Sequence, residues 1–339
     1  MMNIVSVFVW LFSLIGITPL DPPNTDGLVD HGSVGNLVTD AGNILHVLRQ
    51  SGATSFLSYA QRCPWVLQEL GGRSGYTVLA PTNRAFEEIP RVIYNAMNSS
   101  AEVTEWYLRY HILLDAIPRS EMWDNRLVPT AFKPPQSVNE PVQLMRFNTY
   151  TVWNDMLTEY EKVKTASGSP ITKFDLTASN GIVHIIDRVM YPIPTGSNLA
   201  RYFELEPKYS SLYSALETAN LTLAISTPDF KPLTLLAPNN GAFDKLSKAQ
   251  QELLKNTTIL QQVLTYHVMV GSYYSAAIYE DFQHPSLEGS TIYFQKGAGG
   301  VSAEGKMVVS FDTTVTNGVV HELNGVMFPR SLNHLLSKE

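Results

Sequence analysis

The chain has 339 residues, of which 44% are hydrophobic and 16% charged, and its formal net charge is −7 at pH 7. This composition is typical of globular domains and excludes a largely disordered chain, and the length indicates about two domains, each able to bury a core. The acidic balance and the lack of any Lys/Arg cluster in the sequence exclude nucleic acid and other polyanions as expected partners.

The first predicted element is an apolar segment at the N-terminus, Ile4 to Leu20, which a polar, Pro-containing stretch follows at once. Residues 1–20 are therefore predicted to be a cleaved export signal. The alternative is a retained signal anchor, because a run of 17 residues is close to the shortest that crosses about 30 Å of hydrocarbon. A membrane is an expected partner only if the segment is retained.

A single cysteine, Cys63, occurs in the chain, so no intrachain disulfide can form. Domains of this size build a core without disulfides. The single cysteine is therefore compatible with an extracellular protein as well as with an intracellular one. Cys63 itself is interpreted as a small buried hydrophobic residue rather than a nucleophile.

The strongest signal in the sequence is an internal repeat, because three pairs of segments match in the same order in the two halves: Thr77–Phe86 with Thr234–Phe243, Arg109–Ile112 with Thr265–Val268, and Asn180–Pro192 with Asn317–Pro329. Collinear matches of this kind indicate a tandem duplication of one module. We place the first module at 42–192, the second at 197–329 and a tail at 330–339, with the Pro/Gly-containing seam near Pro192–Ser197.

The first module is the longer copy. From His111 to Gly181 is 70 residues, whereas from His267 to Gly318 is 51, a difference of about 19. Loops tolerate insertions best, so the extra residues are expected in two segments rich in loop formers. These are Pro129–Pro141 and Glu159–Pro170.

Each module begins its repeated part with a short strand. Thr77–Leu79 and Thr234–Leu236 are predicted to be buried strands that end at Ala-Pro, because proline cannot donate to a sheet. A helix follows each strand, and Asn83 and Asn240 are predicted to be its N-cap residues.

A later helix carries a Tyr-His pair, and in the first module its apolar residues recur every three or four positions: Val103, Trp106, Tyr107, Tyr110 and Leu114. Each module then ends in strands around Asn180-Gly181 or Asn317-Gly318, since Asn-Gly is a strong hairpin signal. Each module is therefore predicted to be α+β, with a small antiparallel sheet or sandwich packed against several helices.

In this order, the Thr-x-Leu-Ala-Pro-x-Asn-x-Ala-Phe segment, the Tyr-His pair and the Asn-Gly-x-Val-His segment resemble the signature of the fasciclin domain family. The resemblance covers nearly all of the chain beyond residue 42, in both modules. It implies an extracellular, often matrix-associated module that mediates cell adhesion. The partners it implies are cell-surface receptors of the integrin type and extracellular matrix proteins.

The resemblance also implies a contact residue pair in each module. In the family the Tyr-His segment is proposed to touch integrins, which here means Tyr110 and His111, and Tyr266 and His267, with the flanking residues Ile112, Leu113, Val268 and Met269. The alternative is packing, because the tyrosines lie on an apolar stripe, where a buried aromatic with a bonded hydroxyl is ordinary. The histidines at its edge are interpreted as core residues.

His184 and His321 alternate with Val and Ile in predicted strands and are interpreted as structural core histidines. No His-x-x-x-His spacing or carboxylate cluster accompanies the histidines, so no metal or other cofactor is expected. The sequence also lacks a nucleophile elbow, a zinc-protease motif and a phosphate loop. The chain is therefore not expected to be an enzyme.

Asn98, Asn220 and Asn256 stand in Asn-x-Ser/Thr triplets and are glycosylation candidates. Asn98 and Asn256 precede the Tyr-His helices in an expected exposed loop. The alternative is that the polar residues there cap the helix.

The sequence thus favours a secreted, two-module adhesion glycoprotein of the extracellular space. The alternatives are a membrane-tethered ectodomain with a retained N-terminal anchor, and a hydrolase or lipid-binding protein on the same scaffold.

Overall fold

The computed structural model describes residues 42–72, 75–135, 142–154, 159–192, 198–226, 231–279, 281–297 and 299–336. The predicted export signal and residues 193–197 of the predicted seam lie outside these residues. Within the described ranges, no helix has both the length and the hydrophobicity that crossing a membrane requires.

The described residues of the first module form six helices and seven strands: α1 Ile44–Gln50, α2 Thr54–Ala60, α3 Pro64–Gly71, β1 Tyr76–Pro81, α4 Asn83–Glu87, α5 Arg91–Ser99, α6 Ala101–Tyr110, β2 Ile112–Leu113, β3 Leu127–Pro129, β4 Leu144–Asn154, β5 Glu159–Ala166, β6 Ser169–Ala178 and β7 Gly181–Ile186. A 3₁₀ turn at Arg119–Glu121 precedes β3.

The second module repeats this order with one helix fewer before its first strand: α7 Leu199–Leu205, α8 Ser210–Thr218, β8 Leu233–Pro238, α9 Asn240–Asp244, α10 Lys248–Leu253, α11 Thr257–Tyr266, β9 Val268–Val270, β10 Gln283–Pro285, β11 Thr291–Gly297, β12 Gly300–Ala303, β13 Lys306–Val315 and β14 Gly318–Leu323. Residues of the predicted tail form a 3₁₀ turn, Arg330–Leu332, and α12, Asn333–Leu336. Leu332 packs with Ala242 and Val263 of the second module.

Each module has one seven-stranded sheet, in the order β2-β1-β7-β6-β5-β4-β3 and, in the second module, β10-β11-β12-β13-β14-β8-β9. The α+β class is confirmed, but the sheets are mixed and not purely antiparallel. The signature strand β1 pairs in parallel with β7, and β8 pairs in parallel with β14. The parallel pair arises because all the intervening helices and strands form one long connection between the two strands.

The sheet buries side chains on both of its faces. Val78 and Ala80 of β1 point toward the helices, whereas Leu79 points into a second core with Phe132 and Phe147. The sheet edges approach each other through a bridge between Leu113 and Thr130. The single sheet of the module thus curls back toward its own first strand, in place of the two separate sheets of a sandwich.

The N-cap prediction was wrong by one residue in both modules. The caps are Thr82 and Asn239, whose side chains accept hydrogen bonds from the amides of Ala85 and Ala242. Asn83 and Asn240 occupy the first helical position. Their side-chain oxygens instead accept bonds from Ser55 N, at 2.8 Å, and Ser211 N, at 3.0 Å, and so tie α4 to α2 and α9 to α8.

The repeated Asn-Gly pair also has a different role from the predicted one. The hairpin loop is Ser179–Asn180, since Ala178 pairs with Gly181, and Asn180 lacks the positive φ of an Asn-Gly hairpin turn. Asn180 Oδ1 accepts a bond from Ile44 N at 2.8 Å, which fixes α1 to the sheet. Asn317 does the same for α7 through the amide of Leu199.

Gly181 opens β7 at a point where the neighbouring strand is too close for a side chain. A Cβ atom there would lie 2.2 Å from the carbonyl oxygen of Tyr76. At the matching position in the second module, Gly318, the corresponding distance to Leu233 O is 2.1 Å. The glycine is therefore required by the parallel strand pair, not by the turn.

The insertion in the first module lies in two places. The connection between β3 and β4, residues 130–143, is longer than residues 286–290 of the second module, as predicted. The second predicted loop, Glu159–Pro170, was wrong, because Glu159–Ala166 is strand β5. Strands β4 and β5 have 11 and 8 residues, against 7 and 4 in β11 and β12. The extra residues therefore lengthen a hairpin, which we call the long hairpin (144–166).

Candidate functional site

The tyrosines of the two Tyr-His pairs are buried at the ends of α6 and α11. Tyr110 is 0% exposed and its hydroxyl lies 3.1 Å from Ser167 Oγ. Tyr266 is 1% exposed and donates to the carbonyl oxygen of Thr291 at 3.3 Å. Each ring packs in the second core of its module.

The histidines that follow adopt the same geometry in both modules. His111 Nδ1 donates to Tyr107 O at 2.7 Å, and its Nε2 accepts from the amide of Met190 at 2.9 Å. His267 repeats both bonds, with Val263 O and the amide of Met327. Burial lowers the pKa of each imidazole to about 4, so both rings are neutral at pH 7. Each ring joins the end of a helix to the chain segment after the last strand.

The four side chains predicted as receptor contacts are thus inside the protein, and in this structure they form no surface. The flanking residues are buried as well: Ile112, Leu113, Val268 and Met269. The packing alternative describes what these residues do here.

The first exposed apolar residues after the Tyr-His segments are Leu114 and Val270, each 39% exposed. They occupy the same position in the two modules, directly after β2 and at the end of β9. The sequence carried a signal for them, since both follow their histidine by three residues and both are aliphatic. The apolar periodicity predicts Leu114 as part of the helix stripe, and Val270 belongs to none of the predicted motifs.

His184 and His321 lie in β7 and β14 and are buried. His184 Nε2 donates to Ile117 O at 2.9 Å, and its Nδ1 accepts from the amide of Asp175 at 3.1 Å. Asp175 has φ +55° at a register shift of β6, and His321 holds Asp312, φ +63°, in the same way. Burial lowers the pKa of both histidines. These rings therefore stabilise a β-bulge in each module.

The buried histidines predict how stability depends on pH. A histidine in the unfolded chain titrates near 6.5, whereas His111 and His267 have a pKa of about 4 in the folded chain. The contribution of these histidines to the free energy of unfolding is complete above pH 6.5. It is lost as the pH falls toward 4, because the unfolded chain then binds more protons than the folded chain. We expect the free energy of unfolding, measured by urea denaturation, to decrease steadily over that interval.

Glu206 opposes this trend and supplies the control. Burial raises the pKa of its carboxyl to about 7. The contribution of Glu206 to the free energy of unfolding is therefore present below pH 4.5 and is lost as the pH rises through 7. The variant Glu206→Gln should therefore show a steeper rise of stability between pH 4.5 and 6.5 than the parent chain. A flat profile in both proteins would contradict neutral buried histidines.

No three His, Cys, Asp or Glu side chains lie close enough to hold a metal ion in the part of the chain that the structure describes. Cys63 is buried and its thiol lies 3.7 Å from Ala101 O. Burial raises the pKa of that thiol to about 11, which keeps it protonated and unreactive at pH 7.

The three glycosylation candidates are all exposed. Asn98 lies in the last turn of α5 and not in the expected loop, and its side chain bonds Tyr94 O and Arg62. Asn220 follows α8 with φ +55°. Asn256 caps α11 by accepting bonds from the amides of Thr258 and Ile259. Capping therefore applies to Asn256, and glycosylation stays a prediction for all three.

The long hairpin joins the two modules. Tyr150 and Val152 of β4 pack with Tyr274, Ala277 and Val319 of the second module in one buried cluster. The hydroxyl of Tyr150 donates to Ser272 O at 2.8 Å and accepts from the amide of Tyr274 at 3.2 Å. The backbone at Gly168 also lies against the ring of Tyr274, where a Cβ atom would be 2.4 Å from the ring.

Polar contacts surround this apolar cluster. Arg188 Nη1 bonds Ser275 Oγ at 2.7 Å and Asp312 Oδ2 at 3.2 Å, forming an ion pair between the modules. Arg146, which is buried, donates to Thr316 O at 3.1 Å. Each of these bonds joins a residue of the first module to a residue of the second, so the interface holds the modules in one defined arrangement.

Comparison with known proteins agrees with the doubled module. The model of the Fasciclin domain family matches residues 51–192 and 207–329. Transforming growth factor-beta-induced protein ig-h3 of Sus scrofa is 25% identical over 300 residues, which is 88% of this chain and 41% of that protein. Periostin of Homo sapiens is 27% identical over 288 residues, 84% of this chain and 32% of that protein. The chain thus spans less than half the length of these curated relatives.

A solved FAS1 domain pair from the insect cell adhesion molecule Fasciclin I is also similar. It covers 83% of this chain and 99% of its own, with 17% identity and a TM-score of 0.38.

Proposed function

Because the chain belongs to the fasciclin domain family, we propose that it is a secreted cell-adhesion protein that binds cell-surface receptors of the integrin type or components of the extracellular matrix. The observation that carries the proposal is the family match in both modules, together with similarity to ig-h3 and periostin that runs through most of the chain. The Tyr-His pairs are buried in both modules, and we therefore look for the contact surface among exposed residues of the modules.

Leu114 and Val270 are the best candidates for a surface that both modules share. Exposed aliphatic residues at equivalent positions supply apolar contact area in each module, directly beside the buried Tyr-His segment. A receptor that touches this region in both modules would bind twice, and the two contacts would reinforce each other.

Cell attachment to surfaces coated with the purified chain tests the proposal. The double variant Leu114→Ser and Val270→Ser should reduce attachment to half or less, with a melting temperature within a few degrees of the parent chain, because both side chains are already partly exposed. The matched control is Leu223→Ser, which changes an exposed leucine, 74% accessible, outside these strands. Attachment that is absent with the parent chain across several receptor-bearing cell lines would contradict the adhesion function itself.

A further inference from the structure

The contact between the modules buries a guanidinium that has no counter-charge beside it. Arg146 of β4 is 4% exposed, and its Nη2 donates to Thr316 O of the second module at 3.1 Å. Its Nε has no hydrogen-bond partner among the described residues. No carboxylate in that part of the chain forms an ion pair with it. A buried cation with one neutral acceptor is unfavourable, because the loss of hydration exceeds the free energy of a single hydrogen bond.

The groups that face Arg146 do not neutralise its charge. Three of them are tyrosine hydroxyls, which are uncharged at pH 7, because burial raises the pKa of Tyr110 to about 12 and also raises the pKa values of Tyr150 and Tyr274. The fourth group is Asp124, which is exposed, so water screens its charge. Burial lowers the pKa of Arg146, but an arginine stays protonated at pH 7. The positive charge therefore persists inside the contact.

Two further polar side chains lie beside Arg146 on the same face of the long hairpin. Alternate residues of β4 share a face, and the register places Asn148 opposite Thr165. Both are buried, and neither Asn148 Oδ1 nor Thr165 Oγ1 has a hydrogen-bond partner in the described ranges. Asn148 Nδ2 donates to Ser272 Oγ of the second module at 2.9 Å. The face that meets the second module is thus polar at these positions and apolar at Tyr150.

The polar part of the contact depends on the arrangement of the modules more strictly than the apolar part. Burial of the cluster around Tyr150 is not directional, so small shifts change its free energy little. Arg146 has one acceptor in the second module, Thr316 O, which lies in the turn between β13 and β14. Any arrangement that moves this carbonyl out of reach would leave the buried guanidinium without an acceptor. Buried polar groups of this kind specify one arrangement in some proteins although they lower stability.

We propose that Arg146 selects the relative arrangement of the two modules, and that it does so while lowering the stability of the docked pair. The proposal deepens the adhesion function, because the arrangement sets the distance between Leu114 and Val270, the exposed residues that a receptor would contact. It rests on that function only for this use of the distance. The two measurements that test it need no cells, so the two proposals can fail separately.

Replacing Arg146 by methionine tests the effect on stability. The substitution keeps an unbranched side chain and removes the charge, and the carbonyl of Thr316 can bind water instead, because that residue is half-buried. The melting temperature of the full chain should rise by about 5 °C. Arg188→Met, in the same contact, should lower it, because Asp312 would lose its cation. Arg91→Met, which changes an exposed arginine of α5, should leave it unchanged.

The distribution of distances between the modules tests the selection of one arrangement. Nitroxide labels on Glu87→Cys and Lys248→Cys, at exposed positions of α4 and α10, report these distances by pulsed electron paramagnetic resonance. The native Cys63 is buried and stays unlabelled. The parent chain should give a narrow distribution, and Arg146→Met should give one about twice as wide. Arg91→Met should keep the narrow distribution.

The proposal is overturned if Arg146→Met does not melt above the parent chain or does not fold, because the guanidinium would then stabilise the contact. It is also overturned if the variant melts higher but keeps the narrow distribution, since the apolar cluster would then define the arrangement alone. A broad distribution in the parent chain would contradict the selection of one arrangement directly.

Discussion

Replacing His111 by alanine is expected to lower the free energy of unfolding by about 3 kcal/mol or more, and the melting temperature of the first module by roughly 10 °C. The substitution leaves the amide of Met190 and the carbonyl of Tyr107 without their bonds in a buried site, and it also leaves a cavity. His267→Ala should have the same effect on the second module. Scanning calorimetry of the full chain measures both.

The matched control is His334→Ala, which removes an exposed histidine near the end of the chain and should change the melting temperature little. Attachment assays on the His111 and His267 variants are informative only at temperatures at which both modules remain folded. If His111→Ala lost attachment while its melting temperature stayed at the parent value, the ring would act at a surface, contrary to its burial here.

Replacing Tyr150 by alanine is expected to lower the free energy of unfolding by about 3–5 kcal/mol. The change removes a buried aromatic ring and two hydrogen bonds from the contact between the modules. Small-angle X-ray scattering should show a larger radius of gyration, since the modules would separate about their connection. Calorimetry should show the unfolding of the two modules becoming independent.

Two further substitutions show which part of Tyr150 matters. Tyr150→Phe keeps the ring and loses the hydroxyl, so it should cost about 1–2 kcal/mol and leave the modules in contact. Tyr160→Ala changes an aromatic residue on the same hairpin that is 63% exposed, and it should leave the scattering curve unchanged. Identical scattering for Tyr150→Ala and the parent chain would mean that the remaining contacts, among them the polar ones of Arg188 and Arg146, are enough to hold the modules together.

Local patterns were sufficient to predict the α+β class, and the matching segments were sufficient to predict the repeat. For Tyr110 the apolar stripe indicated packing as the alternative to receptor contact. The N-cap was misplaced because two adjacent residues, Thr82 and Asn83, can both cap a helix, and only the packing of α2 decides between them. The parallel pairing of β1 with β7 joins residues more than a hundred positions apart, and no local pattern encodes it.

Strand β5 was mistaken for a loop for a related reason. Its charged residues have low strand propensity, and pairing with β4 along eight positions overrides that preference. The contact between the modules could not be predicted either. The contact between the modules depends on how far strands β4 and β5 extend from the first module. That distance is set by the register in which the two strands pair and not by their amino-acid composition.

Because the hairpin is long in the first module and short in the second, the two modules are not interchangeable in the tandem. The first module presents its long hairpin to the second, and the surface that receives it is a different one, around Tyr274 and Asp312. A head-to-tail contact of this type would propagate along an array if every repeat carried the same projection. The second module has only the short form, with strands of 7 and 4 residues, and so cannot offer the same contact to a further repeat. The lengthened hairpin therefore forms a joint that only the first module supplies, and the short hairpin of the second module does not repeat it.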